Sequence, residues 1–453
     1  MRPIELREIE RASPQTTLEK ASRLVDPVAG IIRSIIPNWL EEGDAGVYAY
    51  GALACQASPL TLPPQITRAG GAALEQEAAL AATIGEAVER YCSAYADLDE
   101  LVFGPYADLK DKDSAIHPSS FALYSKRQYA SSEFPFSPFT ADSPVSWTWG
   151  YSLQQRKQVL VPAALTYLPL YLRDLDRETK ITDATSTGLA CGNTLEEAIL
   201  SALGEVVERD SLTCFWMGRM PARRVTVDPA SAIYDVYVEK LKSRGLEYYT
   251  CELTTDLGIP TLFTLLVGAS NDGVMVNVGS QASLSPARAA LKSLVEAAHG
   301  RPYVRYILQA NPNWKYEEDF STVRTFQDHA AFYTRAPQHQ DVLDFIIDAD
   351  VVRELTEIPD LSTGSVKSDI ETYLYLLGKH NLDVIAIDLT TPDIDEIGLK
   401  VVRVLVPSLQ LLHGDHRYPM LGSERLYRMP QTLGFRESIM AEKDLNPFPH
   451  PLP

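Results

Sequence analysis

A chain of 453 residues with 45% hydrophobic and 22% charged residues has ordinary globular usage. Its 41 basic against 60 acidic side chains leave a formal charge of −19, a field that repels polyphosphate backbones and excludes a general nucleic-acid binder. Five cysteines, odd in number and without a CxxC pair, exclude a disulfide framework or zinc ribbon as the organising feature. The charged start MRPIELREIERASPQ has no apolar core, and no stretch approaches the ~20 apolar residues of a membrane span. A soluble, cytoplasmic protein is expected.

In chain order, 3.6-residue periodicity with little Gly or Pro predicts helices over roughly 74–97, 195–216 and 286–300. Polar, mixed helices are predicted over 233–244 and 367–380. Strand-like runs lie at 146–153 (SWTWGYSL), 158–168, 260–269, 274–279, 383–390 and 401–409 (VVRVLVPSL). The stretch 105–145, rich in Pro, Ser and Asp, is predicted as a large surface loop, and 312–365 as a second polar insertion. Length alone allows ~3 domains. Short linkers and an irregular mixture of strands and helices instead predict one large α+β domain with several mixed or antiparallel sheets.

A repeat carries the chemistry. AATIGEAVERYCSAY (81–95) and LSALGEVVERDSLTC (200–214) share the core GEhhER, where h is small or aliphatic, so Glu86, Glu89 and Arg90 match Glu205, Glu208 and Arg209 in spacing. Positions i, i+3 and i+4 of a helix share a face; Glu205, Glu208 and Arg209 therefore project together, and Ser201 joins them. One such motif is ordinarily a surface ion-pair cluster worth ~0.3–0.5 kcal/mol. Two copies, set among apolar flanks such as Leu203, Val206 and Val207, predict packed helices that bring four carboxylates to a common centre. Buried carboxylates are costly unless neutralised, and one Arg per helix cannot balance them. A divalent cation can, and Mg²⁺ prefers oxygen ligands and bridges carboxylates to nucleotide phosphates.

STGLACGNTLEEA (186–198) precedes the second helix, with Thr194 and Glu197 spaced as a capping box. Its glycines leave backbone amides open to a ligand, and Ser186 and Asn193 offer polar side chains. In KSLVEAAHGRPYVR (292–305), Lys292 and Glu296 stand at i and i+4, followed by Arg301 and Arg305. P-loop, HExxH and GxSxG motifs are missing. His413 and His416 of HGDH have metal-like spacing, but a loop pair without Cys or His nearby in sequence reads as incidental.

These three separated motifs together resemble the YcaO superfamily, whose members bind ATP without a P-loop, over about residues 70–305. VPSLQLLHGDHRYPMLGSERLY (406–427) and the proline-rich NPFPHPLP are similar to its azoline-forming branch. The resemblance implies a YcaO-type fold over 66–427, led into by 1–65 and followed by a tail, 428–453, that reaches the active site. It implies a peptide cyclodehydratase using ATP and Mg²⁺, in which Cys, Ser or Thr of a precursor peptide attacks the preceding carbonyl and the amide oxygen leaves as phosphate. Carried over, Glu86, Glu89, Glu205 and Glu208 are the Mg²⁺ ligands. Arg90, Arg209 and Arg301 balance phosphate charge, with Ser186, Asn193, Ser201, Lys292 and Glu296 at nucleotide-contacting positions. Arg209, Arg301 and Pro453 are the expected catalytic groups. Ala82, Ala72 and His299 depart from the usual Ser, Lys and Gln of the family.

The resemblance further implies a homodimer, a separate leader-peptide-binding partner of the E1-like or recognition-element type, and a flavin dehydrogenase as a further partner. Peptide thioamidation, another branch, and a degenerate scaffold are the competing expectations. The tail discriminates, since the thioamidating branch typically lacks it. Prolines hold NPFPHPLP extended at little entropic cost. It is expected to run inward, so that truncation abolishes cyclisation while leaving thermal stability largely unchanged.

Overall fold

Three sheets organise the chain in the computed structural model, which describes residues 3–55, 68–109, 114–169, 177–183, 185–271 and 273–452. After helix α1 (Pro14–Ala21), strands β1 (Ile32–Pro37), β2 (Tyr48–Ala54) and β3 (Arg68–Ala73) form an antiparallel sheet, and helix α2 (Gln76–Ser93) packs on β2 and β3. Strands β4 (Val102–Gly104), β5 (Val145–Ser152), β6 (Lys157–Pro162) and β7 (Leu189–Gly192) begin the second sheet, with the one-turn helix α3 (Lys126–Tyr129) between β4 and β5. Helix α4 (Leu195–Met217) follows β7.

The third sheet takes β8 (Arg224–Thr226), helix α5 (Ala232–Lys240), β9 (Glu247–Glu252) and the β10 (Thr261–Ser270) to β11 (Gly273–Ala282) hairpin. Helices α6 (Pro286–Ala310), α7 (Phe326–Arg335) and α8 (Asp344–Ile347) come next, then β12 (Val351–Glu354) and α9 (Val366–Gly378). The chain returns to the second sheet through β13 (Ile385–Asp388), α10 (Pro392–Glu396) and β14 (Lys400–Leu405), before α11 (Glu424–Thr432). The second sheet runs β4-β5-β13-β14-β7 with β6 on β5, and the third runs β11-β10-β9-β8-β12 with only the last pair parallel. The architecture is α+β, as expected.

Each long helix lies on a different sheet. α2 covers the first, α4 packs against β7 and β14 of the second, and α6 lies on β10 and β11 of the third. Glycines set the close approach. An added Cβ at Gly71 would fall 2.4 Å from the Thr83 nitrogen, and at Gly279 2.2 Å from the Ser293 carbonyl. Any larger residue would push α2 or α6 off its strand.

Several expectations need correction. α6 passes Gly300 and Pro302 and ends ten residues later than predicted, because Val304, Ile307 and Leu308 are buried and hold the added turns. The 312–365 insertion is not a polar appendage: α7 buries His329, Phe332 and Tyr333 completely. The described parts of 105–145 are largely irregular but not superficial, since Leu123, Tyr124 and Phe136 enter the core and the Tyr124 and Phe136 rings stack at 4.9 Å. Thr194 does cap α4, accepting from the Glu197 nitrogen at 3.2 Å. The Glu197 carboxylate, however, binds the Asn193 and Ala12 amides instead of closing a capping box.

The proline-rich segment runs inward. Asn446 donates its amide to the Met217 carbonyl, Trp216 Nε1 donates to the Phe448 carbonyl and the Tyr333 hydroxyl donates to the Pro449 carbonyl. His450 and Leu452 are buried. Truncation therefore removes core side chains and costs stability, contrary to the expectation of an unchanged fold. Pro453 lies outside the described residues.

Candidate active site

The three long helices converge, and a backbone amide in a strand or immediately before one holds a glutamate of each. The Gly70 nitrogen donates to Glu86 Oε2 at 2.9 Å, that of Gly188 to Glu205 Oε2 at 3.3 Å, and that of Ser280 to Glu296 Oε2 at 2.7 Å. The separations are 16, 17 and 16 residues, so strand, turn and helix recur three times with one glutamate in the same place. The sequence repeat is the visible part of this pattern in α2 and α4; α6 is its third arm.

Further bonds tie the arms together. Cys191 of β7 donates its amide to Glu89 Oε1 of α2 at 2.9 Å, and Ser280 Oγ donates to Glu208 Oε1 of α4 at 2.6 Å. Arg90 pairs with Glu86 at 3.3 Å; Arg209 pairs with Glu208 at 3.2 Å and Glu205 at 3.7 Å. Glu86 and Glu205 keep 32% and 23% of their side chains exposed, enough for a ligand to reach them from solvent.

Carboxylates outnumber their counter-charges here. Burial, only partly offset by Arg90 and reinforced by Glu86 and Glu205, pushes Glu89 up to about 8. Burial likewise raises Glu208 despite Arg209, with Glu296 adding to the rise. Glu205 and Glu296 are raised for the same first reason. Five carboxylates facing two arginines from their own helices form an oxygen-only, electron-rich set, the chemistry a hard divalent cation satisfies.

The other sequence-derived residues fall into two groups. Ser186 lies two residues before Gly188, and Ser201 is exposed one turn before Glu205 on α4. Lys292, one turn before Glu296, has Arg288, Glu296 and Arg11 as charged neighbours. Asn193 is turned to α1, its Nδ2 donating to Thr17 Oγ1 at 2.7 Å. Arg301 does not face the carboxylates at all. It is 1% exposed, bonded to Asp44 at 3.1 Å and to the Ala269 carbonyl at 2.8 Å. Five residues beyond Glu296, it is turned about 140° around the helix. Arg301 holds the fold together and is withdrawn from the ligand-facing set.

Sequence reasoning missed one contributor, Arg403, and read a second, His299, only as a departure from the usual Gln. Arg403 of β14 is 2% exposed, has Nε and Nη1 unpartnered, and sits beside Glu205 and Arg90. Burial lowers it to about 10, with Glu205 opposing the shift. Its signal was a lone Arg in the apolar run VVRVLV. His299 of α6 packs against Gly70, its imidazole lowered by burial and partly restored by Glu86. The inward tail packs at the C-terminal end of α4, on Trp216 and Met217, and the Arg209 charge adds to the lowering of His450.

The family model described as YcaO cyclodehydratase, ATP- and Mg²⁺-binding, matches residues 70–410. The chain belongs to the YcaO family. An uncharacterized protein of Methanothermobacter thermautotrophicus is 29% identical to this YcaO chain over 344 residues, covering 74% of it and 80% of the relative. A solved heterocyclase in complex with substrate and cofactor superposes over 100% of the chain at 25% identity and a TM-score of 0.78. The chain spans 59% of that heterocyclase's length. YcaO from Methanopyrus kandleri, bound with AMPPCP and Mg²⁺, shares the fold over 88% of this chain and 91% of its own, at 18% identity and a TM-score of 0.63. ATP and Mg²⁺ are the cofactors of the family, and the carboxylate centre has the donor set they require. Among the described residues, no helix is long and apolar enough to cross a membrane.

Arg403→Met is expected to raise the KM for ATP by about tenfold or more, the scale of one charge-assisted hydrogen bond. Arg403→Lys should fall between variant and wild type. Steady-state ATP hydrolysis measures both, and an unchanged KM would remove Arg403 from the site.

Proposed function

We propose that this YcaO protein is an ATP-dependent cyclodehydratase that converts Cys, Ser or Thr of a ribosomal precursor peptide into thiazoline or (methyl)oxazoline. The observation that carries the reading is the three-armed carboxylate centre, with the proline-rich segment buried against the C-terminal end of the helix that carries two of its glutamates. An amide oxygen is a poor leaving group; phosphorylation by ATP, with Mg²⁺ neutralising charge, turns it into phosphate, leaving ADP. The chain's own part is electrostatic preparation. Glu86, Glu89, Glu205, Glu208 and Glu296 are the residues that would hold the cations. Arg90, Arg209 and Arg403 balance charge on the transferred group, and the strand amides fix the carboxylates so that little reorganisation is needed. Segment 446–452 is packed against the C-terminal end of α4, the helix that carries Glu205 and Glu208.

A separate partner protein would recognise the precursor's leader. The test is mass spectrometry of a Cys/Ser/Thr-rich precursor peptide incubated with the protein, ATP, Mg²⁺ and a candidate leader-binding protein. Loss of one water per ring, matched by ADP and phosphate, is expected. Exchange of oxygen for sulfur would replace this reading with thioamidation, and nucleotide binding without any mass change would leave a scaffold.

A further inference from the structure

We propose that His329, His413 and His450 form a binding site for a borderline divalent transition metal, Zn²⁺ foremost, which fastens the proline-rich segment to the body of the enzyme. The three residues come from separate parts of the chain: α7, the loop after β14, and the buried segment 446–452. They are 0%, 3% and 1% exposed, and one ring nitrogen of each lies within 4.8 Å of the others.

Hydrogen bonding selects the tautomers. His329 Nδ1 meets the His450 carbonyl at 2.8 Å, and His450 Nε2 meets the His413 carbonyl at 2.8 Å. A carbonyl only accepts, so both of these nitrogens carry protons and donate. His329 Nε2 and His450 Nδ1 are then left with bare lone pairs. Among the described residues both are buried without a hydrogen-bond partner, as is His413 Nε2. Unmet buried polar atoms of this kind are costly, and three gathered in one place call for a shared electrophile. A donor-fixed imidazole whose opposite nitrogen faces a common point is the arrangement of metal-ligating histidines.

The donor chemistry selects the metal. Neutral imidazoles without a carboxylate suit Zn²⁺, Co²⁺, Ni²⁺ or Cu²⁺ and offer little to Mg²⁺. Burial keeps the rings neutral, lowering His329 and His413 well below the ordinary imidazole range and His450 to about 3. Three protein ligands with one further position make a familiar zinc stereochemistry, with ligand nitrogens about 3.3 Å apart. Closing from 4.8 Å requires the stacked His329 and His450 rings, now 3.8 Å between centroids, to splay slightly around the ion. The fourth position falls to water or to His416. That residue's Nε2 donates to the Pro447 carbonyl at 3.0 Å, and its Nδ1 is likewise buried and unpartnered.

This site is separate from the carboxylate centre and does not depend on the proposed chemistry. Its test uses the full-length purified chain with excess Mg²⁺ present to occupy oxygen sites. Zn²⁺ content is measured by mass spectrometry after dialysis, and Co²⁺ is titrated optically. One Zn²⁺ per chain and intense visible Co²⁺ bands of tetrahedral type are expected. His329→Gln, His413→Gln and His450→Gln should each weaken Co²⁺ affinity by at least tenfold. Chelation of the wild type should speed proteolysis within 446–452 while circular dichroism stays unchanged. Absence of stoichiometric Zn²⁺ and of tetrahedral Co²⁺ bands in the wild type would overturn the site, leaving only neutral rings packed around water. Undiminished affinity in the three variants would overturn it equally. If a variant fails to fold, the wild-type spectrum and metal content decide alone.

Discussion

Glu205→Gln is expected to abolish ATP-dependent peptide modification, lowering kcat by about 10²–10³-fold or more, without loss of thermal stability. The activity term follows from removing one pre-placed charge from an electrostatically driven transfer. The stability term follows from the excess of carboxylates, since Gln keeps the shape and the Gly188 bond while removing a buried negative charge. Wild type should therefore gain more from Mg²⁺ in calorimetry than the variant. The pH dependence has a definite sign. Glu89 titrates near 4.5 when unfolded and about 8 when folded. Between those values the folded chain binds more protons, so this group's contribution to stability falls as pH rises through the window. Glu89→Gln should flatten that decline, and saturating Mg²⁺ should flatten it in the wild type. Full activity of Glu205→Gln, or a steep loss of Tm, would refute the assignment.

Asp44→Ala should cost about 3–5 kcal/mol in denaturant unfolding, the range for stranding a buried charge. Asp44 is 1% exposed and accepts from Arg301 Nε at 3.1 Å and from Arg305 Nη2 at 2.7 Å. Its loss leaves a guanidinium that is itself 1% exposed without a counter-ion. The double variant Asp44→Leu with Arg301→Met should recover part of the loss, because removing both charges removes the desolvation problem. Arg301→Met alone should lower stability and leave the KM for ATP unchanged in whatever enzyme remains folded. A selective rise in that KM would return Arg301 to the ligand-facing set.

The two outcomes separate what the sequence exposed from what it hid. Helices α2, α4 and α6 were legible because their apolar periodicity is long, and GEhhER marked the ligand face of two of them. Glu296 was read from its resemblance to a family motif; the strand bond that makes it equivalent to Glu86 and Glu205 is a long-range fact. β2 and β3 were missed because YAYGALA and RAGGAA carry Gly and Ala in place of β-branched residues. Arg301 was carried over from the family resemblance, and helical rotation turns it away from Glu296 and onto Asp44. His413 and His416 read as incidental because their companions, His329 and His450, are distant in sequence and meet them only in the folded chain.

Each arm of the carboxylate centre takes its orienting amide from a different sheet: Gly70 from the first, Gly188 at the edge of the second, Ser280 from the third. No fragment of the molecule therefore owns the centre. A nascent chain, or one with a single sheet undocked, lacks an ordered glutamate and with it the balance of charge that receives a cation. Ligand occupancy thus reports completed assembly.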